Sequence, residues 1–153
     1  MEIRKFLREV DTFSVLADAD IEKVAALCRD RSLVRGEVVY AERDPGDRIF
    51  IVESGAIEIA KSNGPSGPMR IAVLEHGEIF GELAVFEERP RTAIATATRD
   101  SKVKVIEKKD LEALMAAEPA LSARILRSLL RKTAARLRLA DEAIQTLIRS
   151  FEA

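Results

Sequence analysis

Residues 77–97 have the sequence GEIFGELAVFEERPRTAIATA, the most informative stretch of the chain. Residues 81–86 are typical of a single helical turn that is opened by Gly81. The backbone N–H groups at the start of such a turn have no intrahelical partner, so they can hold an anion. Arg91 follows nine residues after Glu82, and its guanidinium can grip a phosphate through two charge-assisted hydrogen bonds.

Two further side chains of this stretch narrow the class of ligand. Thr92 adds a hydroxyl directly beside Arg91. A carboxylate such as Glu82 among phosphate-binding groups is expected when the ligand also carries a hydroxyl, which a carboxylate accepts well. The residues therefore predict a sugar phosphate as ligand. Taken singly, Arg91 could instead form a structural salt bridge with Glu82, Glu87 or Glu88.

Around this stretch, residues 31–107 consist of short β-rich segments that are separated by turn residues. The segments are SLV, EVVYA, RIFIVES, AIEIAK, MRIAVLE, RTAIATAT and SKVKVIE. Closely spaced strands with tight turns predict an antiparallel sandwich or barrel. Within them, IFIVESGAIEIA (residues 49–60) is expected to form a hairpin about Ser54 and Gly55. No helical crossover lies among these strands, which argues against a parallel α/β sheet.

Helical periodicity flanks the strands on both sides. Residues 18–28 have an amphipathic helical pattern, and residues 108–118 form a second helical segment that ends before Pro119. Pro119 can open a further helix, which carries a 4-3 spacing typical of a heptad seam. The seam residues are Leu126, Leu130, Thr133, Leu137, Ala140, Ile144, Leu147 and Phe151. We expect a parallel homodimer through this seam.

Residues 80–93, with the pattern F-G-E-L-A-x-F-x-x-x-P-R-T-A, resemble the phosphate-binding cassette of the cyclic nucleotide-binding domain family. The likeness extends to FSVLADADIEKVAALC (residues 13–28), to Gly36, Gly46 and Gly55, and to the helices after Asp110. It implies a mainly β fold with flanking helices: an antiparallel jelly roll (double-stranded β-helix) of eight strands and a long C-terminal dimerisation helix. One domain, 1–153, is expected, with a helical N-terminus 1–30, a β-roll 31–107 and C-terminal helices 108–153.

The resemblance implies a 3′,5′-cyclic nucleotide as ligand and a role for each cassette residue. Glu82 would accept the ribose 2′-hydroxyl, and Arg91 would bind an exocyclic phosphate oxygen. The amides around Leu83 and Ala84, together with Thr92, would complete the anion site, while Gly81 and Ala93 would let the backbone approach closely.

The family also uses its long helix to contact the base. At the seam position that corresponds to the family's base contact, this sequence has Ala140, with Asp141 beside it. Thr133 is the only residue on the seam that carries a hydroxyl. These three residues are the candidate base contacts. The residues leave adenine and guanine open, since Thr92 could also bond a guanine amino group; of the two ligands, cyclic AMP is expected over cyclic GMP.

Composition excludes several other classes of protein. The chain has 153 residues, 25 basic and 26 acidic, so no global charge recruits nucleic acid or membranes. No apolar run approaches the roughly 20 residues that span a bilayer. The single cysteine, Cys28, cannot form an internal disulfide, and no secretory signal opens the sequence. We therefore expect a cytoplasmic protein that is not embedded in a membrane.

Catalytic interpretations find little support in the residues. His76 is the only histidine, so the histidine clusters of metal-dependent jelly rolls are missing. No P-loop or nucleophile elbow is present. We expect no catalytic residues, no metal and no cofactor. The basic stretch between Pro119 and Ala140 is interpreted as a solvated helix face, and with no recognition helix after the seam we expect no DNA-binding half.

The function that follows is a non-catalytic regulatory module. Binding of cyclic AMP or cyclic GMP in the β-roll would rearrange the C-terminal helix and the dimer, and an unknown downstream protein would receive the output. The alternative is a dimeric interaction scaffold whose cyclic nucleotide-binding fold is degenerate and ligand-free. A regulatory piece that acts with a separately encoded effector also stays open.

Overall fold

The computed structural model describes residues 2–62 and 64–152, so the predicted boundaries at residues 1 and 153 lie outside the described residues. Three short helices come first: α1 (Ile3–Arg8), α2 (Asp11–Ser14) and α3 (Asp18–Ala25). The strands are β1 (Arg29–Leu33), β2 (Val38–Tyr40), β3 (Arg48–Ser54), β4 (Ile57–Ser62), β5 (Pro68–Leu74), β6 (Ile79–Phe80), β7 (Ile94–Ala97) and β8 (Ser101–Glu107). The remaining helices are α4 (Glu82–Glu87), α5 (Lys108–Ala117) and α6 (Pro119–Glu152), and a 3₁₀ turn spans Gly64–Ser66.

The strands form two antiparallel sheets of four strands each. Their orders are β1-β8-β3-β6 and β2-β7-β4-β5. The predicted antiparallel jelly roll with flanking helices and a long C-terminal helix is confirmed. As predicted from Pro119, one helix ends before this residue and the next begins on it, because its ring fixes a helical φ at a position whose N–H needs no partner.

The predicted hairpin between β3 and β4 is wrong. β3 pairs with β8, with Phe50 opposite Val105, whereas β4 pairs with β5, with Ile57 opposite Leu74. Gly55 between them has a φ of +94°, and a Cβ at this position would collide with Ser101. The chain therefore turns a tight corner against the start of β8 and passes from one sheet to the other.

Two further differences concern strand ends. β6 has only two residues, too few to display an alternating pattern, and was therefore not predicted from the residues; it pairs with β3 through Phe50 and Phe80. β1 begins at Arg29, ahead of the predicted start at residue 31. Its sequence RDRSL buries only Leu33, so no apolar periodicity marks where it starts.

Strand β3, in the interior of the first sheet, is buried on both faces. Ile49 and Ile51 of β3 pack against the helices, whereas Phe50 and Val52 point into the space between the two sheets. This double burial explains the uninterrupted apolar run of β3, which a half-exposed strand would break with polar residues. Each such side chain contributes about 1.5–3 kcal/mol by leaving water, so this sheet is the rigid base of the fold.

Helix α6 has a packed half and a projecting half. Leu121, Ile125 and Leu129 are buried against the domain, whereas every described residue from 136 to 152 is exposed. The predicted seam accordingly lies largely in solvent, with Leu130 at 68% and Phe151 at 83% exposure. Within residues 2–62 and 64–152, no helix is both long enough and apolar enough to cross a membrane.

Candidate functional site

One cavity of about 360 Å³ is lined by all seven residues predicted to bind the ligand. They are Gly81, Glu82, Leu83, Ala84, Arg91, Thr92 and Ala93. The structure therefore brings the predicted set together around one space, while the role of each toward a ligand stays a prediction. The cavity lies between α4, the second sheet and α6, and its wall includes Ile59, Leu74 and Arg136.

The turn that opens α4 requires glycine for two reasons. Gly81 precedes the helix with a φ of +80°, in the left-handed region that glycine adopts without strain. A Cβ at this position would lie 2.8 Å from Nη1 of Arg91. The predicted helical turn after Gly81 is present as α4, and the close approach of its first residues to Arg91 depends on the missing side chain.

Arg91 is clamped in the cavity wall. Arg91 is only 4% exposed. Nη1 donates to the carbonyl oxygen of Gly81 and Nη2 to that of Arg48, both at 2.5 Å. Its Cζ lies 4.3 Å from the ring centroid of Tyr40, a cation–π contact. Among the described residues, Nε of Arg91 is the one buried side-chain nitrogen or oxygen without a hydrogen-bond partner.

The guanidinium of Arg91 is a buried cation that lacks an anionic partner. Burial lowers its pKa, and the charges of Tyr40, Asp47 and Glu82 oppose this shift; arginine nevertheless stays protonated in proteins. No described carboxylate lies within 4.0 Å of it. The alternative of a structural salt bridge with Glu82, Glu87 or Glu88 is therefore not what the structure contains.

Glu82 is equally buried, at 4% exposure, and its nearest cation comes from α6. Arg136 Nη1 lies 3.9 Å from Glu82 Oε1, and Arg136 also lines the cavity. Lys132, one turn earlier, faces the same carboxylate: burial lowers the pKa of Lys132 and the charge of Glu82 opposes that shift. Glu82 thus connects the cavity to the long helix.

The sequence interpretation missed Arg136 as a cavity residue. The signal was available in the phase of α6, because Leu121, Ile125 and Leu129 form a row that is buried on the domain side. Arg136 follows Leu129 by one heptad and therefore lies on the same side of the helix. A prediction based on this buried row, rather than on the heptad seam, would have located Arg136 at the cavity.

The three candidate base contacts lie elsewhere. Thr133, Ala140 and Asp141 lie on α6, and none of them lines the cavity of the single chain. Their contact with a base stays a prediction that depends on a second chain.

Apolar side chains, chiefly Ile59, Ile71, Ala72 and Leu74, form the wall of the cavity on the second sheet.

Comparison with known proteins decides the family. Residues 30–118 match the family profile described as "Cyclic nucleotide-binding domain". The chain belongs to the cyclic nucleotide-binding domain family. The matched residues include every residue of the cavity wall named above except Arg136 of α6, so the site lies within the family domain.

Several proteins similar to this cyclic nucleotide-binding domain are named as regulators. A CRP-like cAMP-activated global transcriptional regulator of Mycobacterium tuberculosis is 31% identical over 71% of this chain and 50% of its own length. The N-terminal domain of a transcriptional regulator from Streptomyces coelicolor is 31% identical with a TM-score of 0.76, covering 91% of this chain and 94% of that one. The regulatory domain of Toxoplasma gondii PKA with cAMP is 30% identical with a TM-score of 0.74, over 88% and 49% of the two chains. The chain spans half or less of the curated relatives it matches.

Proposed function

We propose that this domain is a non-catalytic sensor that binds a cyclic nucleotide in the cavity beside α4 and passes the signal through α6. The observation that carries the proposal is Arg91, a buried guanidinium in the cavity wall whose Nε has no hydrogen-bond partner and which has no carboxylate within 4.0 Å among the described residues. A buried unpaired charge is costly. An anionic ligand removes that cost.

The cavity offers complementary groups to each polar part of such a ligand. The cyclic phosphate, a monoanion, would be held by Arg91, by the amides around Leu83 and Ala84, and by the hydroxyl of Thr92. Glu82 would accept the ribose 2′-hydroxyl. Arg91 is already held by two hydrogen bonds, and both charged side chains are largely out of water, so ligand binding has little left to order at Arg91.

The base would pack against the apolar wall that includes Ile71, Ala72 and Leu74. Thr92 and Arg136 are the side chains near it that can donate hydrogen bonds. We favour cyclic AMP over cyclic GMP, because cAMP is the nucleotide named for the Mycobacterium tuberculosis regulator and for the Toxoplasma gondii PKA domain.

The output would run from Glu82 through Arg136 to α6. A ligand hydroxyl at Glu82 changes the charge environment of the 3.9 Å contact with Arg136, so the packing of α6 would respond to binding. The exposed seam of α6, including Leu130 and Leu137, is typical of a surface that a second copy covers. We propose a parallel homodimer in the cytoplasm that signals to a downstream protein.

Isothermal titration of the protein with cyclic AMP and cyclic GMP tests the proposal. We expect saturable binding of one nucleotide per chain, with cyclic AMP the tighter ligand. Arg35→Ala serves as a control for the general effect of removing an arginine. Arg35 is exposed and lies outside the cavity, so its loss should leave the affinity for the nucleotide unchanged. Absence of heat with either nucleotide at high protein concentration would favour the ligand-free dimeric scaffold instead.

The assigned orientation of the ligand has a separate test. 2′-Deoxy cyclic AMP should bind the wild-type protein about tenfold more weakly, because the carboxylate of Glu82 is left without its hydroxyl. In a Glu82→Ala variant, cyclic AMP and its 2′-deoxy analogue should bind equally. Equal affinities for the two ligands in the wild-type protein would contradict the orientation.

A further inference from the structure

A second cavity, of about 390 Å³, lies on the other side of the segment that carries Arg91. Its walls are the loop between β2 and β3, the loop between α4 and β7, and the first residue of α5. The residues that matter for its chemistry are Arg43, Gly46, Asp47, Glu88, Arg89 and Lys108. None of these residues lines the first cavity, so the two spaces are separate.

Positive charge in this cavity is incompletely neutralised. Arg43 and Arg89 have no described carboxylate within 4.0 Å, and Lys108 reaches Glu112 only at 3.8 Å. Two acids, Asp47 and Glu88, also line the wall. Three cations therefore face two carboxylates, which leaves the wall with a net positive charge.

Two charged residues of this cavity have a left-handed backbone. Arg43 (φ +74°) and Glu88 (φ +56°) are the only described non-glycine residues with a positive φ, and both line this cavity. Arg43 occupies the third position of the turn from Ala41 to Asp44, closed by a 3.2 Å hydrogen bond, where a positive φ favours glycine or asparagine. Glu88 is the C-cap of α4, where a left-handed residue is common, so Arg43 is the charged residue held where glycine would be less strained.

The walls of this cavity are also held in place. Arg43 donates its N–H to the carbonyl of Arg91, and Arg91 donates its N–H to the carbonyl of Asp44, both at 2.8 Å. Gly46 packs so closely that a Cβ would lie 2.7 Å from both Ala84 Cβ and Arg89 O. Binding of an ion would therefore order the exposed side chains of Arg43 and Arg89 but not the backbone that carries them.

We propose that this second cavity binds a phosphate group through Arg43, Arg89 and Lys108. Two guanidinium forks and an ammonium suit the several oxygens of a phosphate. The group can belong to a small free phosphate or to a phosphorylated side chain of a partner.

Titration of isotope-labelled protein with inorganic phosphate at constant ionic strength, followed by amide chemical shifts, tests the site. We expect saturable shifts at residues 43–47 and 88–89. Arg43→Gly removes a cation at a left-handed position that suits glycine, so we expect the fold to be kept; it should weaken phosphate binding about tenfold, as should Arg89→Ala. Arg35→Ala, outside the cavity, should leave the titration unchanged.

Three results would overturn this proposal: shifts that do not saturate, shifts that chloride reproduces, or saturable shifts confined to residues 81–84. A phosphoserine peptide, with its unphosphorylated form as control, then identifies the source of the phosphate: tighter binding than inorganic phosphate indicates a partner's side chain, and equal binding indicates a free small anion. Arg43 and Arg89 do not line the first cavity, so the effect of their substitution on the phosphate titration distinguishes this site from the cyclic nucleotide site.

Discussion

The cavity beside α4 and the projecting half of α6 place their side chains in opposite ways. In the cavity, the charged residues Glu82 and Arg91 are each only 4% exposed. On α6, residues 136–152 are all exposed, and large apolar side chains such as Leu137 and Phe151 lie in solvent. Buried charge and exposed apolar surface both depart from the usual distribution of residues.

The difference teaches that the two regions need partners of different chemistry. Burial of Arg91 without a carboxylate is offset by an anion that enters the cavity. A row of exposed apolar residues is stabilised when another apolar surface covers it. The cavity therefore predicts a small charged ligand, and the helix predicts a protein surface, which on the heptad spacing is a second copy of the same helix.

The largest expected effect comes from removing the buried cation. Arg91→Ala should weaken cyclic nucleotide binding by about 2–5 kcal/mol, tens-fold to thousands-fold in Kd, as measured by calorimetric titration. Since Arg91 also tethers Gly81 and Arg48, Arg91→Lys serves as a second variant that keeps the charge and loses the fork. Wild-type affinity in both variants would remove Arg91 from the site.

A substitution on the seam should change assembly without changing the cavity. Leu137→Glu together with Ile144→Glu places like charges opposite each other in the predicted dimer, and sedimentation should then find monomers. Gln145→Glu adds a charge to the same helix away from the seam and should leave the dimer intact. A wild-type protein that already sediments as a monomer at high concentration would refute the predicted assembly.

Arg136 joins the two regions, and its loss should have a smaller effect. The Arg136 side chain is 50% exposed and lies 3.9 Å from Glu82, and such half-solvated pairs contribute less than about 1 kcal/mol. Arg136→Gln should therefore weaken cyclic nucleotide binding less than about fivefold. A loss as large as that of Arg91→Ala, in the same titration, would mean that α6 forms part of the binding site proper.

The smallest expected effect is a pH dependence of the stability of the domain, which arises from His76 and does not involve α6. His76 Nδ1 lies 2.7 Å from the carbonyl oxygen of Glu53, and Nε2 lies 2.5 Å from Glu9 Oε2. These contacts, that with Glu53 first, raise the pKa of His76. The stabilisation is present below the unfolded pKa of about 6.5 and is lost as pH rises through the higher folded pKa.

The measurement is a thermal melt of wild type and His76→Gln at pH 6 and pH 8.5. The wild type should exceed the variant by roughly 1–2 °C at pH 6, since a half-exposed contact stabilises by less than about 0.5 kcal/mol, and the difference should vanish at pH 8.5. Sedimentation should be the same at both pH values, because the only histidine lies outside α6. A Tm difference that grows with pH would contradict the assignment.

The cassette was predictable because its signals are local. Gly81, Glu82, Arg91 and Thr92 lie within a dozen residues, and the structure gathers them around one cavity. The helix break at Pro119 is equally local. Residues this close in sequence also lie close together in the folded chain, so their shared role can be predicted from the sequence.

What escaped prediction depends on contacts between distant parts of the chain. The sequence predicts a hairpin turn at Gly55, because nothing near it in sequence reveals that Ser101 blocks a side chain there. Arg136 contacts Glu82 across 54 residues, and β6 exists only through its pairing with β3. One or two residues have no periodicity in the sequence, so the distant residues that they contact cannot be deduced from it.

A crystal structure of the protein grown with cyclic AMP is the most direct test of the central claim. We predict density for the cyclic phosphate against the guanidinium of Arg91 and the amides that follow Gly81, with the ribose on Glu82. A structure in which Arg91 points into bulk solvent, while side chains fill the cavity at saturating nucleotide, would contradict the account.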